Sequence, residues 1–239
     1  MMRMSLTQLH HAGDRLGRVL ARFRDEAPVL LAIPRRGVVI GAQVARALGL
    51  PLDALLSERA YAPGHPEHPV GAVALGDIMI RDEQAAVALG VSSSELDATL
   101  DATMRQLRRR LPVIQAGRPL PELHDRTVII IDDAAIEGLT MQVAIGAIAA
   151  HLPAKLIAAV PLCSELAARR LRPRTQELVY LDLLPLEEAA HRHAAIDEAI
   201  CPPITDEQVH ELLADARRYA PMSTEHVELD GIAADELHP

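Results

Sequence analysis

Five short apolar runs constrain this chain more than any other feature: APVLLAIP, PLDALLSER, TVIIIDD, AKLIAAVPLC and QELVYLDLLP. Each has the length and β-branched content of a buried strand, and longer stretches with apolar residues at helical spacing lie between them. VVIGAQVARALGL reads as a helix closed by Gly49, and MQVAIGAIAAHL and SELAARRLR read as two more. Strand, short loop, helix, strand is a βαβ unit. Its repetition predicts an α/β fold: a doubly wound, mainly parallel sheet of about five strands with helices on both faces. Aromatic residues make up only 2% of the chain, with one Phe and no Trp. The core must therefore be aliphatic, which suits helices packed on a parallel sheet.

The flanking segments are helical. Leu6, Leu9, Leu16, Val19, Leu20 and Phe23 mark an amphipathic helix, and SSSELDATLDATMRQLRRRLPVIQ a long one opened by serines. Its RQLRRR run reads as a solvated face. In ITDEQVHELLADARRY, Thr205 with Gln208 three residues on forms a capping box that opens a closing helix. Between Tyr61 and Gly71, Pro63, Gly64, Pro66 and Pro69 break the rhythm and predict an irregular, mobile loop. GDIMIRDEQAAVALGV reads as a short hairpin or strand and a small helix. Residues 1–219 are expected to form one domain and residues 220–239 a disordered acidic tail.

A formal net charge of −9 argues against nucleic-acid and acidic-membrane partners. No window reaches about eighteen uninterrupted apolar residues, so a cytoplasmic location is expected. Cys163 and Cys201 have no metal-ligand spacing.

Ligands of an open parallel sheet bind at the carboxyl ends of its strands. Three strand ends carry chemistry here: Pro34-Arg35-Arg36-Gly37, Ser57-Glu58-Arg59, and Asp132-Asp133 with its following loop. Guanidinium groups can grip phosphate bidentately, and a loop opening a helix near Gly138 and Thr140 offers free amides to an anion. Paired carboxylates can accept hydrogen bonds from sugar hydroxyls or hold hydrated Mg²⁺. The two aspartates could equally cap the helix and face solvent.

Over roughly Leu6 to Tyr219 these segments resemble the type I phosphoribosyltransferase family. TVIIIDDAAIEGLT is similar to its phosphoribosyl diphosphate (PRPP) signature, AIPRRGVVIGAQVA to its pyrophosphate loop, and SERAYAPGHPEHPVGAVA to its basic residue and active-site loop. The resemblance implies transfer of ribosyl phosphate from PRPP to a nitrogenous base, with Mg²⁺ and release of pyrophosphate. It implies small-molecule partners only and allows a homo-oligomer. By position, Asp132 and Asp133 would meet the ribose hydroxyls, directly or through the metal, and with Arg59 form the catalytic set. The amides of Ala134, Ala135, Ile136, Glu137, Gly138, Leu139 and Thr140 would hold the 5′-phosphate. Arg35, Arg36, Gly37 and Arg59 would face the pyrophosphate. The loop from Ala60 to Ala74 would exclude water and bring Glu67 or His65 as an acid–base group.

Departures from the family pattern lie in the phosphate machinery. Ala134 stands where Gly is usual, Glu137 where a Thr donates a hydroxyl, and Arg36 where Gly is usual. A carboxylate at about 4 Å from phosphate costs roughly 1–4 kcal/mol per unit charge. Glu137 would repel the ligand, fill the anion cradle itself, or swing outward. The segment after the fifth run lacks the aromatic residue that many relatives stack on a base; His191 and His193 could serve in its place or be ordinary surface histidines. Two rival functions stay open: a non-catalytic sensor or regulatory protein, and an enzyme whose ribosyl substrate lacks the 5′-phosphate.

Overall fold

The structure, a computed structural model, describes residues 6–116, 118–199 and 203–218. Helix α1 (Leu6–Leu20) runs through a 3₁₀ turn (Ala21–Glu26) into strand β1 (Val29–Ala32). Helix α2 (Arg36–Leu48) follows, stopped by Gly49 in the left-handed region at φ 68°, and leads to β2 (Leu52–Ala54). Then come β3 (Ser57–Ala62), β4 (His65–Ala74), β5 (Ile78–Arg81), α3 (Glu83–Ala88) and α4 (Ser93–Gln115). The second half runs β6 (Thr127–Ile131), β7 (Ala134–Ala135), α5 (Leu139–Ala149), β8 (Lys155–Ser164), α6 (Glu165–Leu171) and β9 (Glu177–Leu184). Helices α7 (Leu186–Ala199) and α8 (Asp206–Arg217) close the described chain. The acidic segment expected to be disordered lies outside the described residues.

The main sheet is wholly parallel, in the order β2, β1, β6, β8, β9, with β7 continuing beside β8. Side chains alternate across it with the strand period of two. Leu30, Ala32, Ile129, Ile131 and Ile157 face one way, onto Leu16 and Leu20 of α1 and Ile40 and Val44 of α2. Leu31, Ile33, Val128, Ile130 and Ala158 face the other, onto Met141, Ile145 and Ile148 of α5. Both faces are covered by helices, so the apolar runs are continuous and the α/β, doubly wound expectation holds. The expected capping box of Thr205 with Gln208 opens α8, and the serine start of α4 forms a second one, Ser92 with Glu95.

Two segments depart from the sequence reading. PLDALLSER is not one strand: its first half is β2 of the main sheet, and its second half starts β3 of a separate antiparallel sheet ordered β3-β4-β5. The proline-rich segment is a hairpin, not an irregular loop, with Gly64 at its turn and register shifts around Tyr61. Pro66 and Pro69 fit because β4 pairs with β5 only from Gly71 onward, so its earlier residues need hydrogen bonds on one side alone. Arg59 accordingly sits within β3 rather than at the end of a main-sheet strand.

The RQLRRR run is only partly a solvated face. Arg105, Arg108 and Arg109 are exposed, but Arg110 turns inward. Its Nε and Nη2 donate to the two oxygens of Asp206 at 2.8 and 2.7 Å, and its Nη1 to Glu58.

Candidate active site

Strand β6 ends at Ile131, directly before the aspartates, and β7 resumes beyond them in the same register on β8: Ile131 pairs with Ala159 and Ala134 with Leu162. Opposite them on β8 lies Pro161, which has no N–H to donate, and the ladder is interrupted there. The Asp132 N–H still reaches Ala159 O at 3.1 Å. The carboxylates are thus carried at the carboxyl edge of a rigid strand, 8% and 9% exposed, and neither caps a helix into solvent.

Their partners differ. Asp132 Oδ1 accepts the Asp133 N–H at 2.8 Å. Burial, and then the neighbouring Asp133 charge, raise the Asp132 carboxyl well above the usual carboxylate range. Burial pushes Asp133 the same way, but His193 and Arg36 outweigh it and hold this carboxyl far below that range. Arg36 Nε lies 2.8 Å from Asp133 Oδ2, and His193 Nε2 lies 3.5 Å from the same oxygen. Arg36 Nη2 and His193 Nε2 are 2.8 Å apart. The two carboxyls are therefore pushed in opposite directions, Asp132 toward its protonated form and Asp133 toward its ionised one.

Helix α2 delivers Arg36 because its first residue follows the end of β1 after only three residues, Ile33, Pro34 and Arg35. Gly37 then lets the helix start close in: a Cβ there would lie 3.0 Å from Asp132 Oδ1 and 3.1 Å from its Cα. Arg35, the N-cap, is exposed at the cavity rim. Arg59 enters from β3, where its Nε donates to Thr140 Oγ1 at 3.3 Å. Burial opposes its charge, but Tyr61, Glu137, Asp132 and Asp133 together raise its pKa above the ordinary guanidinium value.

These groups line a cavity of about 250 Å³ whose lining also includes Ser57, Tyr61, Pro203 and Ile204. It brings together Arg35, Arg36, Arg59, Asp132, Asp133 and Thr140, as the sequence predicts. The side chains of Ala134, Ala135, Ile136 and Leu139 pack instead into the apolar clusters, leaving only their backbone to serve a ligand. Gly138, at φ 80°, is the N-cap of α5. The loop is braced from α6: Ser164 Oγ donates to Ile136 O, and Arg170 Nη1 to Glu137 O at 2.9 Å. Glu137 does not line the cavity, and its charge is felt through Arg59.

His65 and Glu67 are exposed at the start of β4 and do not reach the cavity. His193 is the reverse case. It is 8% exposed, not a surface histidine, and stands one turn beyond the fully buried Ala189 on the inner face of α7. That i, i+4 spacing from an alanine pair was the available signal. Tyr61, half exposed beside Arg59, is the other lining residue that strand-end reasoning passes over.

Among the described residues no three His, Cys, Asp or Glu side chains converge to cage a metal. Mg²⁺ commonly needs only one or two carboxylates, taking its other ligands from water and substrate phosphates. Asp132 and Asp133 fit that mode. No helix among the described residues is long and apolar enough to cross a membrane.

A phosphoribosyl transferase domain profile matches residues 5–191. Two Mycobacterium tuberculosis proteins, from strains CDC 1551 and H37Rv and provisionally named phosphoribosyl transferases, are each 27% identical over 224 residues. The match takes in 83% of this chain and 51% of each relative, so the chain spans about half the length of the curated relatives it matches. The crystal structure of TT1426 from Thermus thermophilus has a TM-score of 0.65 at 32% identity, over 89% of this chain and 98% of that one. With the match extending over most of its length, the chain belongs to the phosphoribosyltransferase family.

Proposed function

We propose that the protein binds PRPP, or a related ribosyl phosphate, with Mg²⁺ and transfers the ribosyl phosphate to a nitrogenous base. The carrying observation is the cavity in which a buried aspartate pair faces Arg35, Arg36 and Arg59. In this reading a nitrogen lone pair of the base forms the new bond to the anomeric carbon. The carbon–oxygen bond to pyrophosphate breaks, and its electrons leave with the pyrophosphate.

The chain's own groups supply position and charge. Asp132 and Asp133 accept hydrogen bonds from the ribose hydroxyls and would hold hydrated Mg²⁺ beside the sugar. The metal would neutralise charge on the leaving group. Arg35, at the rim, and Arg59, anchored on Thr140, stabilise the departing pyrophosphate. The amides of the loop from Ala134 to Thr140 take the 5′-phosphate, with Thr140 Oγ1 held by the Arg59 Nε hydrogen bond.

A regulatory reading has one observation in its favour: Asp133 Oδ2, which the sugar would need, is shielded from water between Arg36 and His193. Calorimetry of PRPP with Mg²⁺ against native protein and Glu137→Thr separates the two. Native binding is expected, tightened about tenfold or more by removing the carboxylate. Binding by the variant alone would favour a sensor. Binding by neither would sink the proposal.

A further inference from the structure

Among the described residues three carboxylates line the cavity, Glu58, Asp132 and Asp133, and each is already engaged. Glu58 faces Arg110 of α4. Asp132 Oδ1 takes the Asp133 N–H at 2.8 Å. Asp133 is held from two helices at once. Arg36 Nε, on α2, lies 2.8 Å from its Oδ2. His193, on α7, backs that contact, its Nε2 standing 3.5 Å from the same oxygen and 2.8 Å from Arg36 Nη2. The oxygen itself is shielded from water.

A divalent cation on Asp133 would have to share this oxygen with a guanidinium. Mg²⁺ sits about 2.0–2.1 Å from its oxygen ligands, so a positive charge already against Oδ2 repels it at close range. Arginine stays protonated at any working pH, and the repulsion does not switch off. Nor can the backbone under Arg36 drift aside. The next residue, Gly37, approaches Asp132 so closely that a Cβ there would lie 3.0 Å from Oδ1. Only the Arg36 side chain, 17% exposed, is able to leave. It lines the same cavity as Arg35 and Arg59, so a polyphosphate ligand gripped by those two would also meet its guanidinium.

We infer that Arg36 is the resident counter-cation of Asp133: it keeps divalent metal off this carboxylate in the ligand-free protein, so the metal enters with an anionic ligand that draws the guanidinium away, and not before it. The order of entry rests on the transferase reading of the cavity. The exclusion of metal from the ligand-free site does not.

The probe is Mn²⁺ alone, which shares the oxygen preference of Mg²⁺, with the free ion read by paramagnetic resonance. Native protein should bind it at least tenfold more weakly than Arg36→Met. Arg36→Lys, which returns the charge, should restore the exclusion, and adding Asp133→Asn to Arg36→Met should abolish the gain. Urea unfolding gives a second readout. Mn²⁺ should raise the midpoint of Arg36→Met, whose stranded carboxylate it neutralises, and leave the native midpoint unmoved. Should Arg36→Met fail to fold by itself, Mn²⁺ should fold it. The inference is overturned if native protein or Arg36→Lys binds Mn²⁺ as tightly as Arg36→Met, if the gain survives Asp133→Asn, or if Mn²⁺ neither stabilises nor rescues Arg36→Met. Calorimetry of PRPP with Mg²⁺ reports separately on the transferase reading. Its failure, with Mn²⁺ behaving as expected, would remove that reading and keep the counter-cation.

Discussion

Burial and the adjacent charge keep Asp132 protonated well above the pH at which a free carboxyl ionises, whereas His193 and Arg36 keep Asp133 ionised. The two side chains therefore act on stability with opposite sign. At Asp132 the folded chain holds a proton that the unfolded chain has released above about pH 4, so its contribution falls as pH rises through the raised folded value. At Asp133 the contribution is present above about pH 4 and lost as pH falls toward the depressed folded value. Asp132→Asn should raise the denaturant midpoint, and by more at pH 8 than at pH 5; an equal gain at both would refute the raised pKa. Arg36→Met strands a buried carboxylate and should cost about 3 kcal/mol in urea unfolding at pH 7. Single residues were also where the sequence was least legible. The string H-R-H does not by itself say which member turns inward; only the i, i+4 relation to Ala189 points to His193, and where α7 lands against β8 decides it. Glu137 could be recognised as foreign to a phosphate loop. That it acts through Arg59 rather than from the cavity wall depends on a contact between distant elements.

At the scale of elements, the strands and helices of the main sheet were legible because each carries its own period and its own stops, such as Gly49 and the Thr205 box. The β3–β4 hairpin was not. Its prolines argue against a strand, and they are tolerated only because β4 lacks a second neighbour along its first half. The division of PLDALLSER was equally hidden, since both halves are buried and differ only in the sheet they join. Where an element must approach another closely, one atom decides. Gly37→Ala would set a methyl 3.0–3.2 Å from Asp132 and the Ile131 carbonyl, and neither backbone can yield easily. It should cost about 1–3 kcal/mol and weaken PRPP binding. Thr205→Ala removes only a cap, and is expected to cost about 1 kcal/mol with PRPP binding intact. Urea unfolding and calorimetry on the two variants check the contrast.

In the whole molecule the cavity is a junction between two sheets. The main sheet brings the aspartates and Arg36; the small antiparallel sheet brings Arg59 and Tyr61. Arg110 ties their surroundings together, joining α4 to Glu58 of β3 and to Asp206 at the start of α8. Solvent still reaches this pair, so Arg110→Ala should cost about 2 kcal/mol, below the roughly 3–5 kcal/mol of a fully buried ion pair. Hydrogen exchange should show the loss first in the opening turn of α8; uniform loosening of the protein would contradict the tie.

Helix α7 imposes a stricter condition. Consecutive helical residues point about 100° apart, and His193 and Arg192 use that angle to reach two different carboxylates, Asp133 and Asp182. Their assignment is a matter of rotational phase. One residue inserted between Ala190 and His191 would turn both side chains away from these carboxylates without altering any amino acid of the cavity. Inserting about a full turn would bring them back to nearly the same bearing, so at this position length variants should matter by their remainder rather than by their size.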